Sequence, residues 1–382
     1  MRSIRISAWV AGLPICLGLV AGAPGQSFEI LPDLPGGNTY AEVFGVSANG
    51  RFVVGSSDSA NGREAFTWSR PDGLTALGSL ESGTFFSEAR DISDDGRTAV
   101  GISWLDNDAR GFIYEDGIME DFGVIEVGEI NPQSRAFAIT PDGTMIAGSA
   151  SRSSSVPAVI KESGDWLELG TLDPREYGIA NAHGLSSDGS VAVGQSTSDL
   201  GFQAFAWDSS GGMQPLGFLD DTDRYSDATA VSGDGSSIVG WSNSSGGEEA
   251  FLYRDGSMIG LGDDLSNGIR SIALDVDFDG STIVGRIGTA NGFEAGIWLD
   301  AGEPLLLADY LEGLGVTVPG RLSEATGVSA DGRTIVGNGF FDGNRAGWVA
   351  QIPEPSAAGL ILCASALLLR RPIARRSIRG PG

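Results

Sequence analysis

Cysteine and histidine are almost missing from this 382-residue chain. Its two cysteines, Cys16 and Cys363, lie in apolar segments at the two ends, so residues 26–351 contain none. That body folds without a disulfide and depends on a hydrophobic core, which a chain of this length can bury. A single histidine, His183, excludes a multi-histidine metal site and is expected to play a surface or structural role. Lysine is reduced to Lys161. Positive charge is scarce in general: 24 basic residues face 50 acidic ones, and seven of the basic but only one of the acidic fall in the end segments. The body therefore carries 17 basic and 49 acidic residues, a net charge of −32. Such a surface repels phosphate backbones, which removes nucleic acid as a partner; it attracts cations and keeps an exported protein in solution. There is no phosphate-cradling loop, no Cys/His cluster and no nucleophile elbow. Helical periodicity is confined to residues 305–314, where Leu305, Ala308, Leu311 and Leu314 share a face.

What is present is a repeat. The element V-S-x-D-G-x-x-x-V-G-x-S recurs as VSANGRFVVGSS, ISDDGRTAVGIS, ITPDGTMIAGSA, LSSDGSVAVGQS, VSGDGSSIVGWS, VDFDGSTIVGRI and VSADGRTIVGNG. Its second glycine falls at Gly55, Gly101, Gly148, Gly194, Gly240, Gly285 and Gly337, with steps of 46, 47, 46, 46, 45 and 52 residues. These glycines number the units one to seven. A second element (EAFTW, RGFIY, PAVIK, QAFAW, EAFLY, EAGIW, RAGWV) follows ten residues on, or nine in the last unit. A gap that constant implies hairpins of fixed register, because a one-residue slip turns every side chain to the opposite face. A third element, L-G-x-L, closes each unit, is distorted in the sixth (LLLADYL) and is missing from the seventh.

Asp-Gly and Asn-Gly pairs between alternating apolar stretches signal hairpins. Each unit reads as four short strands; in unit two these fall at about 89–93, 97–103, 110–115 and 118–125. Four strands in roughly 46 residues, repeated, predict an all-β fold: a seven-bladed β-propeller with four-stranded blades. An open solenoid, the alternative, needs distinct caps. The residues Leu31-Pro32-Asp33-Leu34 match the third element, 16 residues before Ser47 as Leu77 is before Ser93. The N-terminus thus holds the closing strand that unit seven lacks, and it is expected to complete the last blade. Trp68, Trp207 and Trp298 share a repeat position with Tyr114 and Tyr253 and are expected in the core between blades.

The ends carry addresses. Arg2 and Arg5 precede an apolar run that closes in small residues, so residues 1–25 read as a cleaved signal peptide. Residues 352–382 contain Pro353-Glu354-Pro355, a short apolar run and a tail with Arg370 and Arg371. This layout resembles the PEP-CTERM sorting signal of Gram-negative bacteria. The resemblance implies export through the inner membrane, transient anchoring through the C-terminal helix, processing by signal peptidase and an exosortase, and display at the outer surface, often with exopolysaccharide. The repeat between the ends resembles the HAF repeat of bacterial extracellular proteins over residues 30–350. The histidine naming that repeat is replaced by Glu64, Gln203 and Glu249, so any role it plays there is lost here.

Few residues suggest chemistry. Asp275-Val276-Asp277-Phe278-Asp279-Gly280 mimics the start of a calcium loop, making Asp275, Asp277 and Asp279 candidate calcium ligands, yet it occupies the repeat's hairpin turn and has Arg286 where such a loop ends in glutamate. Trp104 and Trp241 follow the V-G strand and are candidates for stacking on sugar rings. LDDTDRYSD (219–227) reads as a solvated acidic loop. The functional expectation is a non-enzymatic propeller that binds or scaffolds polysaccharide or matrix proteins. The alternative is a polysaccharide lyase or hydrolase using two of the many carboxylates.

Overall fold

The computed structural model describes residues 26–80, 85–105, 108–126, 132–152, 155–173, 175, 177–262 and 270–352. The signal segment 1–25 and the sorting residues Pro353, Glu354, Pro355, Arg370 and Arg371 lie outside the described residues. Among the described residues no helix is long and apolar enough to cross a membrane.

The fold is all-β, with 28 strands in five four-stranded sheets and one eight-stranded sheet; its ladders are antiparallel but for one short pairing. The large sheet joins units one and two, where Gly62 and Arg63 pair in parallel with Phe85 and Phe86. Unit two shows the pattern: Phe85–Ile92, Thr98–Leu105, Asp108–Glu115 and Ile118–Asp121 run up and down in order. The first strands of the units (Gly36–Val46, Phe85–Ile92, Ser134–Ile139, Ala180–Leu185, Ser226–Val231, Ser271–Val276, Arg321–Val328) touch one another in sequence, and the last touches the first.

Each invariant residue of the repeat has a mechanical reason. Every first strand contains a β-bulge, as between Ala89 and Asp91 or Ala182 and Gly184. The bulge drives a first-strand carbonyl onto the second strand. A Cβ on Gly55, Gly101, Gly148, Gly194, Gly240, Gly285 or Gly337 would sit 1.9–2.2 Å from that oxygen, so only glycine fits. The Asp-Gly turn places its glycine at φ between 68° and 79°, while its aspartate and serine cap the turn: Ser93 Oγ donates to Asp95 Oδ1 (2.7 Å) and Arg97 N to the same oxygen (3.0 Å). Successive turns bond to each other, as in Asp94 N to Pro141 O and Ala330 N to Ala48 O. Buried serines join units at mid-height: Ser87, Ser134, Ser226 and Ser271 accept the N–H of Ala65, Gly111, Ala204 and Ala250 from the preceding unit.

The N-terminus closes the last sheet, but the closing strand is Ser27–Ile30, not residues 31–34. It pairs antiparallel with Asn344–Gln351, Ser27 facing Gln351 and Ile30 facing Trp348, and Phe28 stacks on Trp348 at 5.8 Å. Leu31 and Leu34 are where the chain leaves the sheet. Both are buried, and Leu34 N donates to Ser57 Oγ (2.9 Å). The L-x-x-L signature marks the end of a fourth strand and the plunge into the next unit, which explains a displacement of four residues. Asn338 seals the same seam: its Oδ1 accepts from Val43 N (2.8 Å) and its Nδ2 donates to Val43 O (3.0 Å).

The apolar face of 305–314 forms a helix only over Leu307–Gly313; Leu305 and Leu306 pair with the third strand of unit six instead. Leu307 and Leu311 are fully buried beside Ile297, Ile335 and Trp348, so the helix packs onto the sheets. Trp298 is fully buried and Trp68 nearly so, as expected of their shared position, with Trp207, Tyr114 and Tyr253 packed at the edges of neighbouring clusters.

Two variants test these contacts. Deleting residues 26–34 should lower the melting temperature of the whole body in one transition; an unchanged melting curve would remove the closing strand from the account. Gly194→Ala, whose methyl would meet Asn181 O at 1.9 Å, should lose at least about 1–3 kcal/mol in urea unfolding.

Candidate functional site

Residues shared by all units build the scaffold, so a site is to be sought where units differ. The entry to a first strand, the hairpin between second and third strands, and the exit of a fourth strand lie at one end of every sheet, because the strands alternate in direction. The aromatic residues gather at this end, and two halves of that face treat them differently.

In units six, seven, one and two, arginines cover four of the rings, though not Trp104 and Phe86 of unit two. Arg63 lies over Tyr40 (4.7 Å), Arg286 over Phe293 (4.6 Å), Arg321 over Phe340 (4.9 Å) and Arg90 over Phe44 (4.3 Å). An alternating chain of charges links them. Arg286 meets Glu324 (3.6 Å), Glu324 meets Arg345 (2.8 Å) and Arg345 meets Glu42 (2.6 Å). Glu42 then meets Arg63 (3.8 Å), Arg63 meets Glu88 (3.5 Å) and Glu88 meets Arg90 (2.5 Å). Single exposed pairs contribute little, but this one is a part-buried network crossing three unit boundaries, including the seam between units seven and one. Burial works against the Arg345 charge, yet Glu42 and Glu324 more than offset it and hold its pKa up.

In units four and five Tyr177 and Phe202 are exposed, while Tyr225 and Trp241 are half-buried. Trp241, just after Gly240 in Ile238–Ser244, stacks on Tyr225 at 4.7 Å and 26°. Tyr225 lies 6.1 Å from Phe202, which is 40% exposed, and Tyr177 is 73% exposed. No arginine covers these four rings among the described residues. Tyr177 and Phe202 line a groove of about 390 Å³ together with Asp173, Arg175, Thr197 and Ser198. The walls are pinned: Ile179 N donates to Thr197 Oγ1 (3.0 Å) and Thr197 N to Ile179 O (2.8 Å). Gly201, at φ 120°, makes the hairpin that carries Phe202. At one end Arg175 grips Asp173 through Nε (2.8 Å) and Nη2 (2.7 Å), which holds the Asp173 carboxyl below its ordinary range. The groove thus combines exposed ring faces with a charged, hydrogen-bonding rim.

Of the two tryptophans expected to stack on sugars, Trp241 belongs to this cluster and Trp104 does not. Trp104 is 45% exposed in unit two, where it leans on Phe86 at 5.0 Å. The segment 219–227, read as a solvated acidic loop, also supplies Tyr225 to the stack. Tyr177, Phe202 and the Asp173–Arg175 pair were not legible in sequence, because three sit in a connector and Phe202 begins the third strand Gly201–Asp208 at a position the repeat leaves variable.

The three calcium candidates do not converge. Asp275 accepts from Val276 N and Val328 N (2.8 Å each), Asp277 from Thr282 N (3.0 Å) and Ser281 Oγ (2.9 Å), and exposed Asp279 from Ser281 N (3.0 Å). Among the described residues no three acidic, histidine or cysteine side chains are grouped to hold a metal. Asp275 instead has a counterpart in Asp91, at the same repeat position in unit two, where the other units carry Gly or Ala. Asp91 likewise joins Ile92 N of its own strand to Ile139 N of the next unit (2.8 Å each). Burial pushes both carboxyls up to about 7, against the pull of their N–H donors; the charge of Asp275 adds to the rise at Asp91, and that of Asp277 to the rise at Asp275.

No protein-family model and no curated protein matches the chain. Among solved structures it is similar to an oligogalacturonate lyase in complex with manganese, with a TM-score of 0.51 at 11% identity over 86% of this chain and 97% of that one. It is also similar to a β-propeller domain from Myceliophteria thermophila, with a TM-score of 0.47 at 10% identity over 85% and 100% of the two chains. TolB from Acinetobacter baumannii matches over 69% of this chain with a TM-score of 0.44 at 13% identity, and this chain spans 61% of that protein's length. At these identities the likeness concerns the fold alone.

Asp91 and Asp275 make stability depend on pH. Their carboxyls hold protons in the folded state that the unfolded chain releases, so their contribution is full below about pH 4 and is lost as the pH rises to about 7. The turn carboxylates act oppositely: Ser190 and Ser186 hold Asp188 down to about 2, a contribution lost as the pH falls below about 4. Thermal unfolding should therefore show falling stability from about pH 4 to 7 in the wild type, and Asp91→Asn/Asp275→Asn should flatten that decline. An equally steep decline in the double variant would place its origin elsewhere.

Proposed function

We propose that this chain is an exported, surface-displayed, non-enzymatic binding protein that holds a neutral polysaccharide in the groove of units four and five. The observation that carries the reading is exposed Tyr177 and Phe202 beside the Asp173–Arg175 rim, continued by the Tyr225–Trp241 stack. A pyranose ring offers an apolar C–H face and a hydroxyl edge; exposed rings suit the first and a fixed ion pair the second. The net charge of the body, −32, favours an uncharged chain over a polyanion.

The scaffold is taken as seven four-stranded blades. This is supported by the seven repeats, the 28 strands and the return contact from Arg321–Val328 to Gly36–Val46. Residues 1–25 and the Pro353-Glu354-Pro355 segment with Arg370 and Arg371 support export, exosortase processing and display on the outer surface, where polysaccharide is the abundant matrix.

A panel of neutral and acidic glycans, scored for both binding and product release, tests the reading. Neutral glycans should bind, and Trp241→Ala and Tyr177→Ala should each weaken binding about tenfold or more. Release of cleaved product would replace the binding role with that of a lyase or hydrolase, and unchanged binding in both variants would remove the groove.

A further inference from the structure

Neighbouring units are joined by a small set of recurring bonds, and one boundary is short of them. At the turn end a hydrogen bond passes from the turn of one unit to the turn of the next. These run from Asn49 N to Asp94 Oδ1 (2.8 Å), Asp94 N to Pro141 O (2.8 Å), Ser187 N to Gly233 O (3.0 Å), Asp234 N to Phe278 O (3.0 Å), Phe278 N to Ala330 O (3.1 Å) and Ala330 N to Ala48 O (2.8 Å). Between units three and four no such bond is found among the described residues. The donor's place there is held by Pro141, and proline has no N–H. At mid-height the same boundary lacks its serine: Ala180 stands 14 residues before Gly194, where Ser226 stands before Gly240.

The residue ejected at the bulge repeats the contrast. In units four, five and seven it bonds the next unit: His183 Nδ1 lies 3.0 Å from Asp227 Oδ1, Thr229 Oγ1 donates to Ala273 O (2.9 Å) and Thr326 Oγ1 to Val43 O (3.1 Å). In unit three it is Phe137, which meets unit four as an edge-on contact with His183 at 5.1 Å. The core is thin in the same place. Six of the nine buried residues in the cluster spanning units three and four are alanine, against at most three in any other cluster, so less apolar area is buried there per residue. What holds this boundary lies at the groove end. Val156 N donates to Gly178 O (3.0 Å), Ala180 N to Val156 O (2.8 Å) and Leu172 N to Ser196 Oγ (2.8 Å). Ile179, in the middle of that bridge, is also the residue bonded to Thr197 in the groove wall.

We propose that the boundary between units three and four is the joint at which the ring opens, and that a molecule seated in the groove locks it. The second half rests on the groove being the binding site. Local opening follows the contacts with the least buried apolar surface and the fewest hydrogen bonds, and this boundary is poorest in both. The connector that carries Asp173, Arg175 and Tyr177 is held by Val156 of unit three on one side and Thr197 of unit four on the other. Opening the joint takes away the first support, so the groove keeps its shape only in the closed ring. A ligand that needs that shape favours the closed state, and closure favours the ligand by the same factor.

Amide hydrogen exchange on the whole protein tests both halves. The amides of Val156 and Ala180, bonded across the joint, should exchange about tenfold or more faster than those of Ala204 and Ala250, bonded across the next two boundaries. Pro141→Ala/Ala180→Ser supplies the missing donor and the missing acceptor and should slow Val156 and Ala180 to the rate of Ala204. Saturating cellohexaose, laminarihexaose or isomaltohexaose, whichever binds, should slow them in the wild type. Equal rates at Ala180 and Ala204 in the free protein overturn the joint, and so does a folded double variant that exchanges as fast as the wild type. A hexasaccharide that binds without slowing exchange overturns the lock alone. If none binds, the groove reading falls and the lock with it, while the comparison of Ala180 with Ala204 still decides the joint.

Discussion

Seven times along the chain a first-strand carbonyl presses onto a second-strand glycine at a distance no side chain tolerates. The contact exists because the first strand bulges there, and the bulge sets the rest. It spaces the two strands, fixes the turn that joins them and ejects one residue per unit toward its neighbour. The glycines therefore recur in every unit and the turn residues change little, whereas the ejected residue varies freely: Phe, Arg, His, Thr and Leu all occupy that place.

The units are tied to one another at two levels. Turn-to-turn hydrogen bonds hold one end of the sheets, and buried serines hold the middle. The far end is held unevenly. Arginine and glutamate knit units six through two and spread over four of the aromatic rings, while among the described residues units four and five have no such lattice and expose Tyr177 and Phe202. Rigidity and recognition are thus divided between two halves of one face, with the stiff half centred on the seam, where a repeat protein is weakest because its last and first units are joined by no peptide bond.

Much of this was legible in the sequence because the constraints are local and repeated. Asp-Gly turns, V-G strands and a constant hairpin gap specify the four-strand unit, and a missing terminal element matched by a surplus at Leu31 pointed to the closure. The pairing residues were misplaced by four, since the buried leucines draw the eye while Ser27–Ile30 is short and half exposed. Asp275-x-Asp-x-Asp mimics the start of a calcium loop within a hairpin turn; its carboxylates face different backbone donors, a distinction that spacing does not contain. Trp241 was visible and its partners were not: Tyr177 lies in a connector, and Phe202 begins a third strand at a position that the repeat leaves variable.

The antiparallel seam also has a mechanical meaning. The chain leaves the ring through Asn344–Gln351, a strand with Thr334–Phe341 on one flank and Ser27–Ile30 on the other. Tension applied at Ile352, as a tethered tail would apply it, runs along that strand. It would have to shear two ladders at once, sharing the force over many hydrogen bonds, where a strand at a sheet edge would peel away one bond at a time. The segment supplied from the far end of the chain works as a clasp against pulling as well as against heat.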